Sequence, residues 1–194
     1  MNEYIKSHLR KSIEVKKVIL EDESYIEQLH EIADLTVQTY KRGNKTLLAG
    51  NGGSAADAQH IAGEFVSRFY FDRPGLASIA LTTDTSILTA IGNDYGYNRL
   101  FARQLQANGQ AGDLFFAIST SGNSINIIEA IHEAKKLGIT TVGLTGNDGG
   151  KMTKLCDYCL CVPSNETPRI QETHILIGHI ICAMVEEAIF GKGF

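Results

Sequence analysis

His60, Glu64 and Arg68 stand four residues apart in the run AADAQHIAGEFVSR. A helix turns 100° per residue, so each step of four drifts by about 40° and all three share one side. An imidazole and a carboxylate one turn apart offer acid–base chemistry, or two ligands for a divalent metal. The same spacing also suits a plain surface pair between Glu64 and Arg68. A second set lies near the C-terminus, where Gln171, Glu172, His174 and His179 interrupt a run of Ile, Leu, Ala and Val. Gln171 and His179 are eight residues apart, about 80° around a helix axis, so both can face one cleft. A lone buried histidine is usually a satisfied core residue. Several polar groups in one apolar helix each need a partner, and that points to a site.

The loops around these helices are rich in glycine and hydroxyls. Gly50-Asn51-Gly52-Gly53-Ser54 joins the apolar run TLLA to the helix carrying His60. Ser119-Thr120-Ser121-Gly122-Asn123-Ser124 sets four hydroxyls in six residues, just before another helical stretch. Hydroxyls, free first-turn amides and the positive end of a helix dipole together make a phosphate cradle. No Lys and no Walker pattern accompany it, so a nucleoside triphosphate is not indicated. The plainer alternative is a Ser/Gly turn with Ser124 as an N-cap. A third loop, Thr145-Gly146-Asn147-Asp148-Gly149-Gly150, follows the run TTVGL.

These loops need a scaffold, and the hydrophobic pattern supplies one. Continuous apolar runs predict strands at Thr46–Ala49, Ser78–Thr82, Leu114–Ile118, Thr140–Leu144 and Tyr158–Val162. Helical periodicity covers about 54–68, 84–91, 98–107, 124–137 and 170–190. Apolar strands alternating with amphipathic helices imply an α/β fold, a three-layer sandwich around a five-stranded parallel sheet. In such sheets ligands bind at the carboxyl ends of the strands, where all three loops fall. Before them, Ile5, Leu9, Ile13 and Leu20, then Ile26, Leu29, Ala33, Val37 and Tyr40, predict a helical pair over residues 1–42. Ser24 and Glu27 fit a capping box for the second helix. That pair must pack on its own domain or on a second subunit. No linker, repeat or low-complexity segment divides the chain, so residues 1–194 read as a single domain.

Composition narrows the class. The 194 residues are 43% hydrophobic and 21% charged, the balance of a soluble globular protein rather than a disordered or fibrous one. Lys and Arg number 18 against 22 Asp and Glu, a net charge of −4, so no basic field invites nucleic acid. The charged N-terminus has no apolar core of a signal peptide, and Ile175–Val185 is too short and too interrupted to span a bilayer. The expectation is a cytoplasmic protein with no membrane partner. Cys156 and Cys159 form a C-x2-C without a second pair, and the segment DYCLCVP reads as a strand with small apolar residues.

The stretches GNGGSAADAQHIAGEF, LTAIGNDYGYN, AISTSGNS, GLTGNDGGKM and RIQETHILIGHII resemble the sugar isomerase (SIS) domain family nearly end to end, and most closely its phosphoheptose isomerase branch. The resemblance implies a five-stranded SIS fold. It also implies aldose–ketose isomerisation of D-sedoheptulose 7-phosphate to D-glycero-D-manno-heptose 7-phosphate, a step toward lipopolysaccharide or capsule. It further implies homotetramers with active sites at subunit interfaces. Carried over by position, it makes His60, Glu64, Gln171 and His179 ligands of one zinc ion per subunit, and Glu64 and His179 the acid–base pair. Substrate contacts fall to Asn51, Gly52, Gly53, Glu64, Asn93, Asp94, Ser119, Thr120, Ser121, Ser124 and Gln171, with Arg68 near the phosphate. A non-enzymatic relative that binds the bacterial replication initiator shares the fold, the serine loop and much of the RIQE helix. It lacks the residues matching Glu64 and His179, and this chain has both.

Overall fold

The computed structural model describes residues 1–191. Strands β1 (Thr46–Gly50), β2 (Ser78–Ala80), β3 (Leu114–Ile118), β4 (Thr140–Gly146) and β5 (Tyr158–Val162) form one parallel sheet in the order β2-β1-β3-β4-β5. Every residue of β1 and β3 is buried, as expected of central parallel strands covered on both faces. The helices are α1 (Asn2–Leu20), α2 (Glu23–Lys41), α3 (Gly53–Val66), α4 (Thr85–Tyr95), α5 (Leu100–Asn108), α6 (Ile125–Lys136), α7 (Met152–Leu155) and α8 (Thr167–Phe190). A 3-10 turn at Tyr97–Arg99 leads into α5. The expected α/β sandwich and N-terminal helical pair are both present.

Two separate cores make the sandwich. Ile32 and Val37 of α2, Ile61 and Phe65 of α3, and Ile177 and Val185 of α8 pack on one face of the sheet. Ile91 of α4, Phe101 and Leu105 of α5, Ile127 and Ile131 of α6, and Met152 of α7 pack on the other. The chain therefore leaves β1 toward one face and β3 toward the opposite face. Adjacent strands whose connections part in this way open a crevice at their carboxyl ends. Register aligns the two exits, because Gly50 pairs with Ile118 and the loops after them start level.

α8 is long and apolar enough to cross a membrane by length and composition alone. Its Ile170, Ile177, Ile181 and Val185 are buried in the core, so it is a core helix. α1 is held to the start of α8 by Lys11–Glu166 (2.7 Å), Lys16–Glu172 (2.9 Å) and the Arg169 guanidinium donating to the His8 carbonyl (2.8 Å). Its own apolar residues Ile5, Leu9, Ile13 and Leu20 stay exposed in the single chain.

Several local expectations are corrected. The N-cap of α2 is Asp22, whose carboxylate accepts from the Tyr25 amide, while Ser24 Oγ donates to Asp22 Oδ1 (2.6 Å). A carboxylate beside the helix start outcompetes a hydroxyl two residues later. α3 stops at Val66 because Ser67 turns to ψ −101°, so Arg68 lies beyond the helix, exposed, and pairs with no carboxylate among the described residues. Strand β2 is shorter than expected, and β4 runs on to Gly146, two residues into the predicted third loop. α4 extends to Tyr95, which places Asn93 and Asp94 on a helix.

Candidate active site

α3 and α8 lie side by side and run the same way. Gly53 opposes Gln171, Ile61 opposes Gly178, and His60 meets His179. A Cβ on Gly53 would sit 2.6 Å from the Gln171 amide nitrogen, and one on Gly178 would strike the Ile61 side chain, so glycine is what lets the helices approach. Along this seam His60 Nε2 lies 3.1 Å from Glu64 Oε1 and 3.1 Å from His179 Nε2. The ligating atoms of His60, Glu64 and His179 all fall within 4.8 Å of one another. Four ligands around a tetrahedral zinc at about 2.0–2.1 Å stand roughly 3.3 Å apart, so this donor set fits a zinc-sized cation. Gln171 is about two turns nearer the helix starts, its amide against Gly53.

The crevice holds the other predicted residues. Asn51 and Asn126 bond through both carboxamides, Asn51 Nδ2 to Asn126 Oδ1 at 2.9 Å and the reverse at 2.8 Å. The Tyr97 hydroxyl also donates to Asn51 Oδ1 (3.0 Å). A cleft of about 350 Å³ runs between Asn51, Gly52 and Ala55 on one side and Thr82, Thr89 and Gly92 on the other. Asn93 follows Gly92 at the exposed end of α4, its amide donating to Asp94 Oδ1 (2.8 Å).

In the serine loop the Ser119 hydroxyl meets Ser124 Oγ at 2.9 Å and Ser121 Oγ at 3.5 Å. Ser124 occupies the N-cap of α6, yet its hydroxyl makes no capping bond. The hydroxyls therefore face one another, and the Ile125 and Asn126 amides at the start of α6, without partners among the described residues, keep their capacity for an anion. Gly122 takes φ +61°, and a side chain there would collide with the Gly149 carbonyl. A polar cleft of about 190 Å³ opens beside Thr120 and Ser121, bordered by Asn147, Asp148 and Ser164.

Sequence reading missed three groups near these loops. Asn126 and Tyr97, which hold Asn51, gave no spacing signal. Asp57 stands one turn before His60 on α3, a spacing that could have flagged it. Burial pushes its carboxyl up to about 6, against the pull of His60, and its Oδ2 has no hydrogen-bond partner among the described residues. His174, by contrast, is fully buried away from the triad and donates from Nε2 to the Thr145 carbonyl (3.0 Å). Glu172 faces Lys16 and Arg169. All four cysteines are free, and the hydrogen bond with Cys156 and burial push the Cys159 thiol up to about 12. Thiols so held are poor nucleophiles at neutral pH.

The SIS domain model matches residues 8–146 of this chain. The chain belongs to the SIS domain family. Among SIS-domain proteins it is 70% identical to a protein of Aneurinibacillus thermoaerophilus named phosphoheptose isomerase, over 100% of this chain and 98% of that one. It is 68% identical to phosphoheptose isomerase 2 of Campylobacter jejuni, over 100% of this chain and 96% of the relative. The solved structure of phosphoheptose isomerase from Neisseria gonorrhoeae superposes with a TM-score of 0.90 at 43% identity, covering 96% of this chain and 98% of that one. The SIS fold expected from the motifs is thus the fold observed.

Proposed function

We propose that this SIS-domain protein is an aldose–ketose isomerase converting D-sedoheptulose 7-phosphate to D-glycero-D-manno-heptose 7-phosphate, the entry to heptose for lipopolysaccharide or capsule. One observation carries the reading: His60, Glu64 and His179 converge in a chain 70% identical, end to end, to a named phosphoheptose isomerase. A protein that only bound the replication initiator would need no such convergence.

Moving a carbonyl from C2 to C1 removes a proton from one carbon and returns one to its neighbour through an enediolate. A carboxylate and an imidazole flanking that carbon pair suffice. Glu64 and His179 take those roles in this reading. Ser119, Thr120, Ser121 and Ser124 hold the phosphate with the first-turn amides of α6, and Arg68 adds charge from the segment after α3. Asn51, Gly52, Gly53, Asn93, Asp94 and Gln171 bind and orient the sugar hydroxyls. His60, Glu64 and His179 would hold one zinc ion per subunit, while Gln171, expected as a fourth ligand, lies about two turns away against Gly53 in the same chain. Bound there, zinc would supply positive charge that offsets the negative charge developing on the sugar during isomerisation.

The whole chain acts in this reading as one SIS domain, with residues 1–42 as its helical appendage. The exposed Ile5, Leu9, Ile13 and Leu20 are then covered in a homotetramer, working in the cytoplasm on a soluble sugar phosphate. The test is direct conversion of sedoheptulose 7-phosphate by the purified protein. Glu64→Gln and His179→Gln should each abolish turnover with fold and assembly intact. Wild-type turnover in the Glu64→Gln protein would overturn the acid–base assignment.

A further inference from the structure

Both helices of the seam are fastened a second time, beyond the triad, by a buried ion pair. The Arg73 Nε donates to Glu186 Oε1 at 3.0 Å, and the two side chains are 2% and 1% exposed. The rest of the guanidinium closes the end of α3. One terminal nitrogen donates to the Glu64 carbonyl (2.8 Å), and the other to the carbonyls of Phe65 (2.6 Å), Ser67 (3.1 Å) and Pro74 (3.1 Å). α3 ends without a glycine cap; the Gly63 and Phe65 carbonyls accept the Ser67 and Leu76 amides, while among the described residues the Glu64 carbonyl is met by Arg73 alone, and a guanidinium there also suits the negative end of the dipole.

Glu186 does matching work from α8. Its carboxylate accepts from the amides of Phe69 (2.8 Å) and Tyr70. It stands seven residues after His179, so the two share a face of α8 and both look toward the end of α3. Phe69, held through its amide, lays its ring 5.6 Å from the His179 imidazole. One pair therefore bonds the backbone of Glu64 directly and braces the ring of His179 through one neighbour. It also fixes both ends of the segment carrying Arg68.

We propose that Arg73 and Glu186 are positioning residues, a latch that sets the spacing of Glu64 and His179 for proton transfer. The inference rests on the isomerase reading above. The pair reaches Glu64 through its carbonyl and brackets Arg68 through Ser67, Phe69 and Tyr70, so loosening it should move the reacting groups and, to a smaller degree, weaken binding through Arg68. A displacement of about 1 Å at such groups costs on the order of a hundredfold in rate.

The test compares Glu186→Gln, Arg73→Lys and the wild type as full-length, metal-loaded proteins, at a temperature where circular dichroism shows each one folded. Glu186→Gln keeps the shape and loses the charge. Arg73→Lys keeps the charge but cannot reach Glu186 and the α3 carbonyls together. The expected result is a kcat lower by about ten- to a hundredfold, a larger change than the rise in KM that follows from loosening the Arg68 segment. The visible spectrum of Co2+ bound at His60, Glu64 and His179 should change in both variants, a readout independent of turnover. Wild-type kcat and an unchanged Co2+ spectrum in either folded variant would overturn the latch. If the wild type itself fails to convert sedoheptulose 7-phosphate, the isomerase reading falls, and the Co2+ spectrum alone decides whether the pair positions the triad. If Glu186→Gln does not fold, Arg73→Lys decides.

Discussion

Asn51 and Asn126 join their carboxamides in a reciprocal pair of 2.9 and 2.8 Å across the crevice between β1 and β3. Asn126 is 2% exposed, while Asn51 is half-buried and also accepts from the Tyr97 hydroxyl. The pair ties the glycine loop, which begins the helix of His60 and Glu64, to the helix that begins at the serine loop. On the proposed reading, the phosphate loop and the proton-transfer groups are thereby held on one frame. Asn126→Leu would leave the half-buried Asn51 Nδ2 without its partner, at a cost of about 1 kcal/mol. The expected outcome is a lower midpoint in urea unfolding and a raised KM, checked on the same preparation. Wild-type values for both would show that the pair holds nothing together.

Removal of one hydroxyl from the serine loop should weaken binding more than chemistry. On the proposed reading, Ser121→Ala and Ser124→Ala each delete a hydroxyl that binds the phosphate, worth roughly tenfold in KM, with kcat little changed. Inorganic phosphate should inhibit the wild type competitively and the variants less well. Steady-state kinetics with and without phosphate would check this.

The triad predicts metal content as well as turnover. Metal analysis after dialysis should find about one zinc per chain in the wild type, and a small fraction of that in His60→Gln or His179→Gln. Treatment with a chelator should lower activity, and added zinc should restore it. Full activity in protein shown to be metal-free would remove zinc from the account.

His174 gives a pH dependence that owes nothing to the active site. Burial pushes its imidazole from the ordinary 6.5 down to about 4. Below 6.5 the unfolded chain takes up a proton that the folded chain refuses. Stability is therefore full above pH 6.5 and falls as pH drops toward 4, by about 3 kcal/mol in all. Unfolding midpoints measured between pH 4 and 7 should show that slope, and His174→Leu should flatten it whatever its absolute stability. An unchanged slope in the variant would assign the acid sensitivity elsewhere.

Local signals made much of this legible before any coordinates. β1 and β3 read as strands because they are buried on both faces and carry unbroken apolar runs, TLLAG and LFFAI. His60 and Glu64 were visible through helical spacing, and His179 through a polar group set in an apolar helix. What escaped was set by distant partners. Arg68 fell outside α3 because Arg73, bound to a glutamate 113 positions further on, takes the carbonyls at the helix end. Asn126 follows the serine loop like any polar residue of a first turn, and only the fold sets it against Asn51, 75 positions away. The start of α2 was misplaced for a local reason, two capping side chains lying within three residues, of which the carboxylate of Asp22 wins.

The central claim is that this protein moves a proton between neighbouring carbons of a seven-carbon sugar phosphate. Sedoheptulose 7-phosphate, zinc and the purified protein in D2O, followed by NMR, test it most directly. The account predicts the heptose aldose with deuterium at C2, and no such product from Glu64→Gln. A folded, zinc-loaded protein that leaves the ketose unchanged would contradict it.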